Sequence, residues 1–432
     1  MAEVLGPVFA MKLGSYKVLI ISSQEVAKEC YTVHDKVIDR IDLTASKILG
    51  YDVSFLTFSP CGPYWKGMRK IATSELFSTA TIDKFKGSRE REVDMAFKDL
   101  YMRYEGGAKK GVVLVDMKRA LQDLVANMSL MMIAGKRYFG AAPNCEAGEA
   151  RRYGKLIQDY FDYFGLYLLS DKIKKDMKRT AKELDEVVES WVEEHKKRRD
   201  ECEKHYLDLL IEIFKNREIP GTTHDAHTTT KAICLNMVFA GSEPAIVVLV
   251  WAVSLLVNNP HELRKAQEEL DQKIGRDRVE TLRLYPPLPL TAYRYVMEGF
   301  DIANGNFHVP AGTRVLVNEW KVQRDPNFWL EQELFKPERV LTSQEIENNV
   351  SGMGMLFPFG LGRRSCPAIP LGMRMVHYVL ARFLHSFDLA TPFGQDVDMT
   401  ESNGFVNLKA SPLQVLINPR LPKSLYHVDR KV

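Results

Sequence analysis

One cysteine of this 432-residue chain sits where a thiol can do chemistry. Cys366 follows a glycine-rich arginine loop, FPFGLGRRSCPAIPLG over residues 357 to 372, and precedes an apolar stretch of helical pattern. The first turn of a helix has backbone N–H groups without intrahelical partners, and its dipole favours an anion. Both effects predict a lowered thiol pKa, and Arg363 and Arg364 add positive charge. Gly360 and Gly362 predict a close approach of backbone to a flat object, with Phe359 lying against it. The chemistry this suggests is a thiolate that ligates a metal within a large planar ligand, with Arg364 pairing an anionic group on that ligand's edge. The plainer reading, an inert buried cysteine in a turn, is the usual state of a free Cys. The order Phe-x-x-Gly-x-Arg-x-Cys-x-Ala is too specific for it.

Other residues are spaced to act in pairs. In GPYWKGMRK, Trp65 and Arg69 stand at i, i+4 on one helical face, a spacing that by itself suits a surface cation–π contact. In ETLRLYPP, Glu280 and Arg283 share a face; alone, a Glu-x-x-Arg says little. In order along the chain, however, these segments resemble the motifs of cytochromes P-450. The cysteine loop resembles the family's haem-binding signature, Trp65 and Arg69 its Trp-x-x-x-Arg, ETLRLYPP its K helix, and FKPERV its Pro-Glu-Arg-Phe with Val340 in place of Phe. The resemblance runs nearly end to end. GPYWKGMRKIATSELFS, AGKRYFG, TAKELDEVVESWVEEHKKRR, VSLLVNNPHELRKAQEEL and VDMTESNGFVNLKASPL are similar to plant A-type members, in the group containing nicotine demethylase and hydroxylases of alkaloids, terpenoids and phenylpropanoids.

That resemblance implies a mainly α fold with a small β region, one haem-thiolate domain spanning residues 1–432. It implies haem b between a long central helix and the helix after Cys366, with Cys366 as the axial iron ligand. Trp65, Arg69 and Arg364 would neutralise the propionates; Ala240, Gly241, Phe359 and Gly362 would line the haem. Glu280, Arg283 and Arg339 would form a buried three-charge cluster, architectural rather than catalytic, since buried charge is costly unless fully partnered. The implied reaction inserts one oxygen atom of O2 into a lipophilic plant metabolite. Electrons come from NADPH through NADPH-cytochrome P-450 reductase. The implied pocket linings are residues 51–59, 161–168, 239–243, 288–292 and 403–405, largely apolar and aromatic, which suits a lipophilic small molecule. The family sits on the cytosolic face of the endoplasmic reticulum membrane, and a monomer is expected.

The sequence also departs from the family. Where the central helix usually carries an acid followed by threonine, this chain reads Ala240-Gly241-Ser242-Glu243-Pro244-Ala245. Glu243 supplies the acid for proton delivery, but no hydroxyl follows it, and Ser242 is expected to point elsewhere. Pro244 removes an N–H and crowds the carbonyl of Ala240. Arg40-Ile41-Asp42 stands for a usual Arg-Pro, and Pro370 falls in a first helical turn, where it costs little. Three stretches look short: the N-terminus, which lacks the anchor and proline-rich hinge and so leaves a soluble location open; the lid after YFGLYLLSD; and KIGRDRVETLRLYPP, which joins a loop almost directly to Glu280. The last predicts weakened packing around Glu280 and Arg283. Pro244 keeps open a haem-thiolate isomerase or dehydratase, and the gaps a degenerate or mis-spliced haem-binding chain with little activity.

The elements that must position these residues are legible from periodicity. PVFAMKL and YKVLII read as two strands, followed by a helix opening at Ser22 with Glu25 at capping-box spacing. Leu184, Val187, Val188, Trp191 and Val192 form one helical stripe. Residues 228–260 read as a helix apolar nearly all round, hence central, stopped at Asn258-Asn259-Pro260. The Asn-Gly of IANGNFHV predicts a hairpin, residues 371–387 a helix, and FVNLKASPLQVLIN a last hairpin.

Composition agrees. A hydrophobic content of 45% over this length supports a large core. A net charge of +3 with mixed signs and no basic stripe excludes a nucleic-acid binder. The cysteines lack metal-ligand spacing, so no zinc site or disulfide framework is expected, and a reducing compartment is. The longest apolar run, Ile246 to Val257, is too short for a membrane span.

Overall fold

The computed structural model describes residues 1–14, 16–40, 43–107, 111–140, 143–164, 171–198, 203–217, 219–222, 224–272, 278–291, 293–337, 358–404 and 406–426. Helices dominate these residues, and short strands gather into three small sheets.

The central element is the helix Ala226–Asn258. Asp225 caps it, its carboxylate accepting the Thr228 N–H at 2.7 Å. The run from Ala245 to Val257 is buried without a polar face, so the helix must be surrounded. By length and composition it could cross a membrane; here it is packed instead against the helices Met117–Ala134, Tyr206–Lys215, Asp171–Lys197, Arg278–Leu284 and Ile369–Ser386. Pro244 lies inside it without ending it. The helix stops at Asn258, and Pro260 opens the next one, Pro260–Gln272.

The larger sheet is built from β1 (Val8–Leu13), β2 (Tyr16–Ile21), β3 (Ile38–Asp39), β5 (Arg294–Val296) and β8 (Arg314–Val317), in the order β1-β2-β8-β5-β3. Strands β1 and β2 pair antiparallel as the sequence predicts; β2 then pairs parallel with β8, nearly three hundred residues away. The predicted hairpin is present as β6 (Phe300–Ile302) and β7 (Phe307–Val309), with Ala303 and Asn304 joining Gly305 at positive φ in the turn.

Two local expectations need correction. The N-cap of the first long helix is Ser23, whose Oγ accepts the Val26 N–H at 3.4 Å; Ser22 is buried and receives the Asn318 side-chain amide instead. The chain's last strand, β10 (Gln414–Pro419), forms no hairpin with the segment just before it. It pairs with β4 (Val113–Asp116) on one side and β9 (Phe387–Ala390) on the other. Val415 and Ile417 share one face of that sheet and are fully buried in the main core.

Candidate active site

The cysteine loop ends in a turn closed on itself. The Cys366 N–H donates to the Phe359 carbonyl at 2.8 Å, and the Ala368 N–H reaches the Cys366 Sγ at 3.4 Å. Ala368 caps the helix Ile369–Ser386, with Pro370 in its first turn as expected. The predicted lowering of the thiol pKa does not hold for the protein's own groups. Burial pushes the Cys366 thiol above its ordinary value, and the Ala368 N–H and Arg69 offset only part of that. Gly362 also has a packing role within the chain. A Cβ there would stand 2.1 Å from the Tyr31 carbonyl, at φ +68°. Gly362 therefore lets the loop approach the helix Gln24–Thr32. Gly360 has nothing closer than 4.0 Å to such a Cβ.

Trp65 and Arg69 lie on the helix Pro63–Ile71. Arg69 donates through Nη1 to the Ser365 carbonyl and through Nη2 to its hydroxyl at 3.3 Å, pinning the residue before the cysteine. The buried Trp65 ring meets not Arg69 but Arg364, whose guanidinium carbon lies 4.2 Å from its centroid. Arg364 also pairs with Asp39 and donates to the Ser59 carbonyl at 2.7 Å.

Two further arginines join them that the sequence reading did not place. Arg294, on β5, stacks over Tyr31 at 3.7 Å and bonds Asp35 and the Leu361 carbonyl, each at 3.3 Å. Arg40 is pushed down to about 9 by burial and then by the positive charges of Arg294 and Arg364. With Arg363 on Asp35, four guanidiniums, those of Arg40, Arg294, Arg363 and Arg364, gather around two carboxylates, Asp35 and Asp39. Arg294 had one local signal: strand alternation puts it on the inward face with Val296.

The central helix is less covered at Ala240 to Pro244 than in the run that follows. Ala240 is exposed in a helix otherwise buried on most sides, and Gly241 has no neighbouring atom within 4 Å of a Cβ; nor has Gly372 on the facing helix. Ser242 donates back to the Val238 carbonyl at 2.8 Å, so its hydroxyl does point elsewhere. Burial pushes the Glu243 carboxyl up to about 7, and Lys118 opposes the shift.

Behind the site, the expected weakening around Glu280 does not appear. Arg283 Nη2 and Nε meet Glu280 at 2.7 and 2.9 Å, both side chains fully buried. Arg283 also donates to the carbonyls of Gln323, Gln332 and Leu334 and lies 5.2 Å from the Trp329 ring centroid. Most of the partners of Arg283 come from outside its own helix, Arg278–Leu284. Arg339 lies outside the described residues, as do Ala292, Phe405 and residues 165–168 of the expected pocket. Of that pocket, Phe55, Phe58, Phe161 and Phe239 do come together. Phe239 stacks on Tyr160 at 3.6 Å, meets Phe161 edge-on at 5.8 Å and lies 6.4 Å from Phe55.

Comparison with known proteins places this arrangement. The cytochrome P450 family model matches residues 1–417. A xanthotoxin 5-hydroxylase of Arabidopsis thaliana is 40% identical, covering 99% of this chain and 88% of that protein. A strychnine-10-hydroxylase of Strychnos nux-vomica is 39% identical over 99% of this chain and 87% of its own, and a flavonoid-6-hydroxylase of Mentha piperita 37% over 99% and 88%. The alignment with the first spans 466 positions, more than the chain has residues, so that relative carries internal segments absent here. Among solved structures, a zebrafish cytochrome P450 with progesterone superposes at a TM-score of 0.79 and 22% identity, over 97% of each chain. The chain belongs to the cytochrome P450 family and has its fold. It is a monooxygenase, an oxidoreductase of plant specialised metabolism.

The family implies a haem, and the residues present fit one. Cys366 offers a soft sulfur donor. A Cβ at Gly241 or at Gly372 would meet nothing within 4 Å, and the two glycines lie on helices that pack against each other. The Arg364 Nε is buried without a hydrogen-bond partner, and the arginine excess beside it suits an anionic edge.

Proposed function

We propose that residues 1–432 form one haem-thiolate domain that inserts an oxygen atom from O2 into a planar, lipophilic, aromatic plant metabolite. The carrying observation is the Cys366 Sγ that accepts the Ala368 N–H, in a loop that holds Arg363 and Arg364 and is bound by Arg69 and Arg294, before a helix that packs against the one carrying the open turn at Ala240 and Gly241. Cys366 would hold the iron through its thiolate, Trp65, Arg69 and Arg364, with Arg40 and Arg294, would hold the propionates, and Phe359 would lie against the ring. Bound there, the haem supplies the activation of O2. The thiolate of Cys366 would lend that haem electron density, and the Ala368 N–H would tune the sulfur through its hydrogen bond.

Glu243 delivers protons. A carboxyl raised to about 7 is a proton donor at neutral pH. Without a threonine hydroxyl beyond it, the relay needs an ordered water or a substrate hydroxyl. The aromatic wall around Phe239 excludes bulk water and suits a flat substrate, as the names of the xanthotoxin and flavonoid hydroxylases suggest. Electrons come from NADPH through a flavoprotein reductase on the cytosolic face of the endoplasmic reticulum, and the chain acts as a monomer.

The test is expression with haem supply. A reduced carbon-monoxide difference spectrum with the thiolate-type Soret position is expected, then NADPH- and reductase-dependent oxidation of a coumarin and flavone panel. A spectrum without that position overturns the Cys366 assignment. Turnover of a hydroperoxide without NADPH, and of nothing else, favours the isomerase reading instead.

A further inference from the structure

One polar pair interrupts the aromatic wall. Asn236 Nδ2 donates to Thr57 Oγ1 at 2.8 Å, across 179 positions of sequence. Asn236 lies one turn before Ala240 on the same face of the central helix, so it looks toward the open turn described above. Thr57 stands between Phe55 and Phe58, whose rings are 6.2 Å apart, and Phe239 on the helix side faces Phe55. This bond therefore joins the two walls of the pocket at its polar point.

The pair is only half satisfied. A threonine hydroxyl that accepts still has its own hydrogen to donate, and an asparagine that donates through Nδ2 still has an acceptor oxygen. Among the described residues neither the Thr57 O–H nor the Asn236 Oδ1 has a further partner. The Asn236 Oδ1 is not among the sealed, partnerless polar atoms of the core, and Thr57 is only half-buried, so both remain reachable. One donor and one acceptor stand side by side in surroundings that are otherwise apolar. A site built to hydrogen-bond a substrate's oxygen discriminates strongly against an analogue lacking that function, whereas an apolar pocket discriminates weakly.

We propose that Asn236 and Thr57 are the anchor that selects an aromatic substrate bearing a free hydroxyl and sets which ring carbon is presented for oxidation. This rests on the planar-aromatic reading above and adds a specificity rule to it. A flat ring stacked against the Phe239 wall can still rotate in its own plane. A hydroxyl that donates to Asn236 Oδ1 and accepts from Thr57 O–H removes that freedom. Methylation of the hydroxyl deletes the donor and adds bulk, leaving Asn236 Oδ1 buried under ligand without a partner, which costs more than never having made the bond.

The test uses the haem-loaded protein and calorimetric titration with 5-, 6- and 7-hydroxyflavone, their methyl ethers and unsubstituted flavone. At least one hydroxyflavone is expected to bind about tenfold more tightly than its ether. That preference should disappear in Asn236→Leu and in Thr57→Val, and the regiochemistry of turnover should spread from one product to several. Unchanged haem spectra verify that the variants are folded, and the wild-type comparison of hydroxyl with ether stands without them. Equal binding of every hydroxyflavone and its ether, or a preference that survives both substitutions, overturns the anchor while leaving the aromatic pocket intact. Failure of all the flavones to bind overturns the substrate class, and the anchor with it.

Discussion

At the residue scale, Glu243 and Pro244 pull proton delivery in opposite directions. Burial holds the Glu243 carboxyl near neutrality, so a proton is available where catalysis needs it. Pro244 withholds the hydroxyl that would carry it onward. Replacing Pro244 with Thr is expected to raise product formed per NADPH consumed by about tenfold or more, since a positioned proton donor contributes roughly 10²–10⁴-fold. The measurement is product and NADPH consumption together; an unchanged ratio would show that another relay already serves. Glu243 itself should set a pH limit. With a folded pKa near 7, above the ordinary carboxyl value, it donates below pH 7 and ionises above it. Turnover should fall as pH rises through 7, and Glu243→Gln should be slow and flat across that range. The stability effect has a matching sign. The folded state holds this proton up to about pH 7 and the unfolded chain releases it near 4, so stability is lost as pH rises between them. Glu243→Gln should therefore melt higher than the wild type at pH 8.

At the scale of elements, the shortened helix Arg278–Leu284 shows how much a charge pair can depend on its surroundings. Glu280 and Arg283 share a face because they are three residues apart, and this was legible in the sequence. That the pair stays buried and satisfied was not. Its partners are carbonyls of Gln323, Gln332 and Leu334 and the ring of Trp329, none of them local. Arg283→Met should strand a buried carboxylate and destabilise the fold by about 3–5 kcal/mol, read as lost soluble yield and a lower Tm. A variant that keeps the wild-type Tm would show that the pair is dispensable. The loop at Cys366 has the same character. Its glycines were visible in the sequence, but the object Gly362 approaches is the Tyr31 carbonyl, a contact across more than three hundred residues.

At the scale of the whole molecule, Trp251 ties three parts together. It lies on the central helix, stacks on Tyr285 at 4.0 Å and 10°, and donates to the Asn407 carbonyl at 2.7 Å. Trp251→Phe keeps much of the apolar burial but leaves that carbonyl unpaired, at a cost of about 1–3 kcal/mol. Thermal melting should show a reduced Tm with a single transition, since the three parts share one core. Two separate transitions would instead show that the C-terminal segment folds apart from the helices.

Sequence alone determined what depends on neighbours a few residues apart. The helical stripes, the order of motifs around Cys366, the Glu280 and Arg283 spacing, the β6–β7 hairpin and the tolerated Pro370 all follow from periodicity and local sterics. The tertiary structure decided what depends on sums over distant parts. It brought Arg40 and Arg294 to the loop of Arg363 and Arg364, and chose β4 and β9 as partners of β10. It also turned Gly362 toward a helix. It reversed the expected pKa shift of Cys366, because desolvation is a property of everything packed around the thiol, whereas the helix N-terminus and its arginines are local and act through only a few contacts.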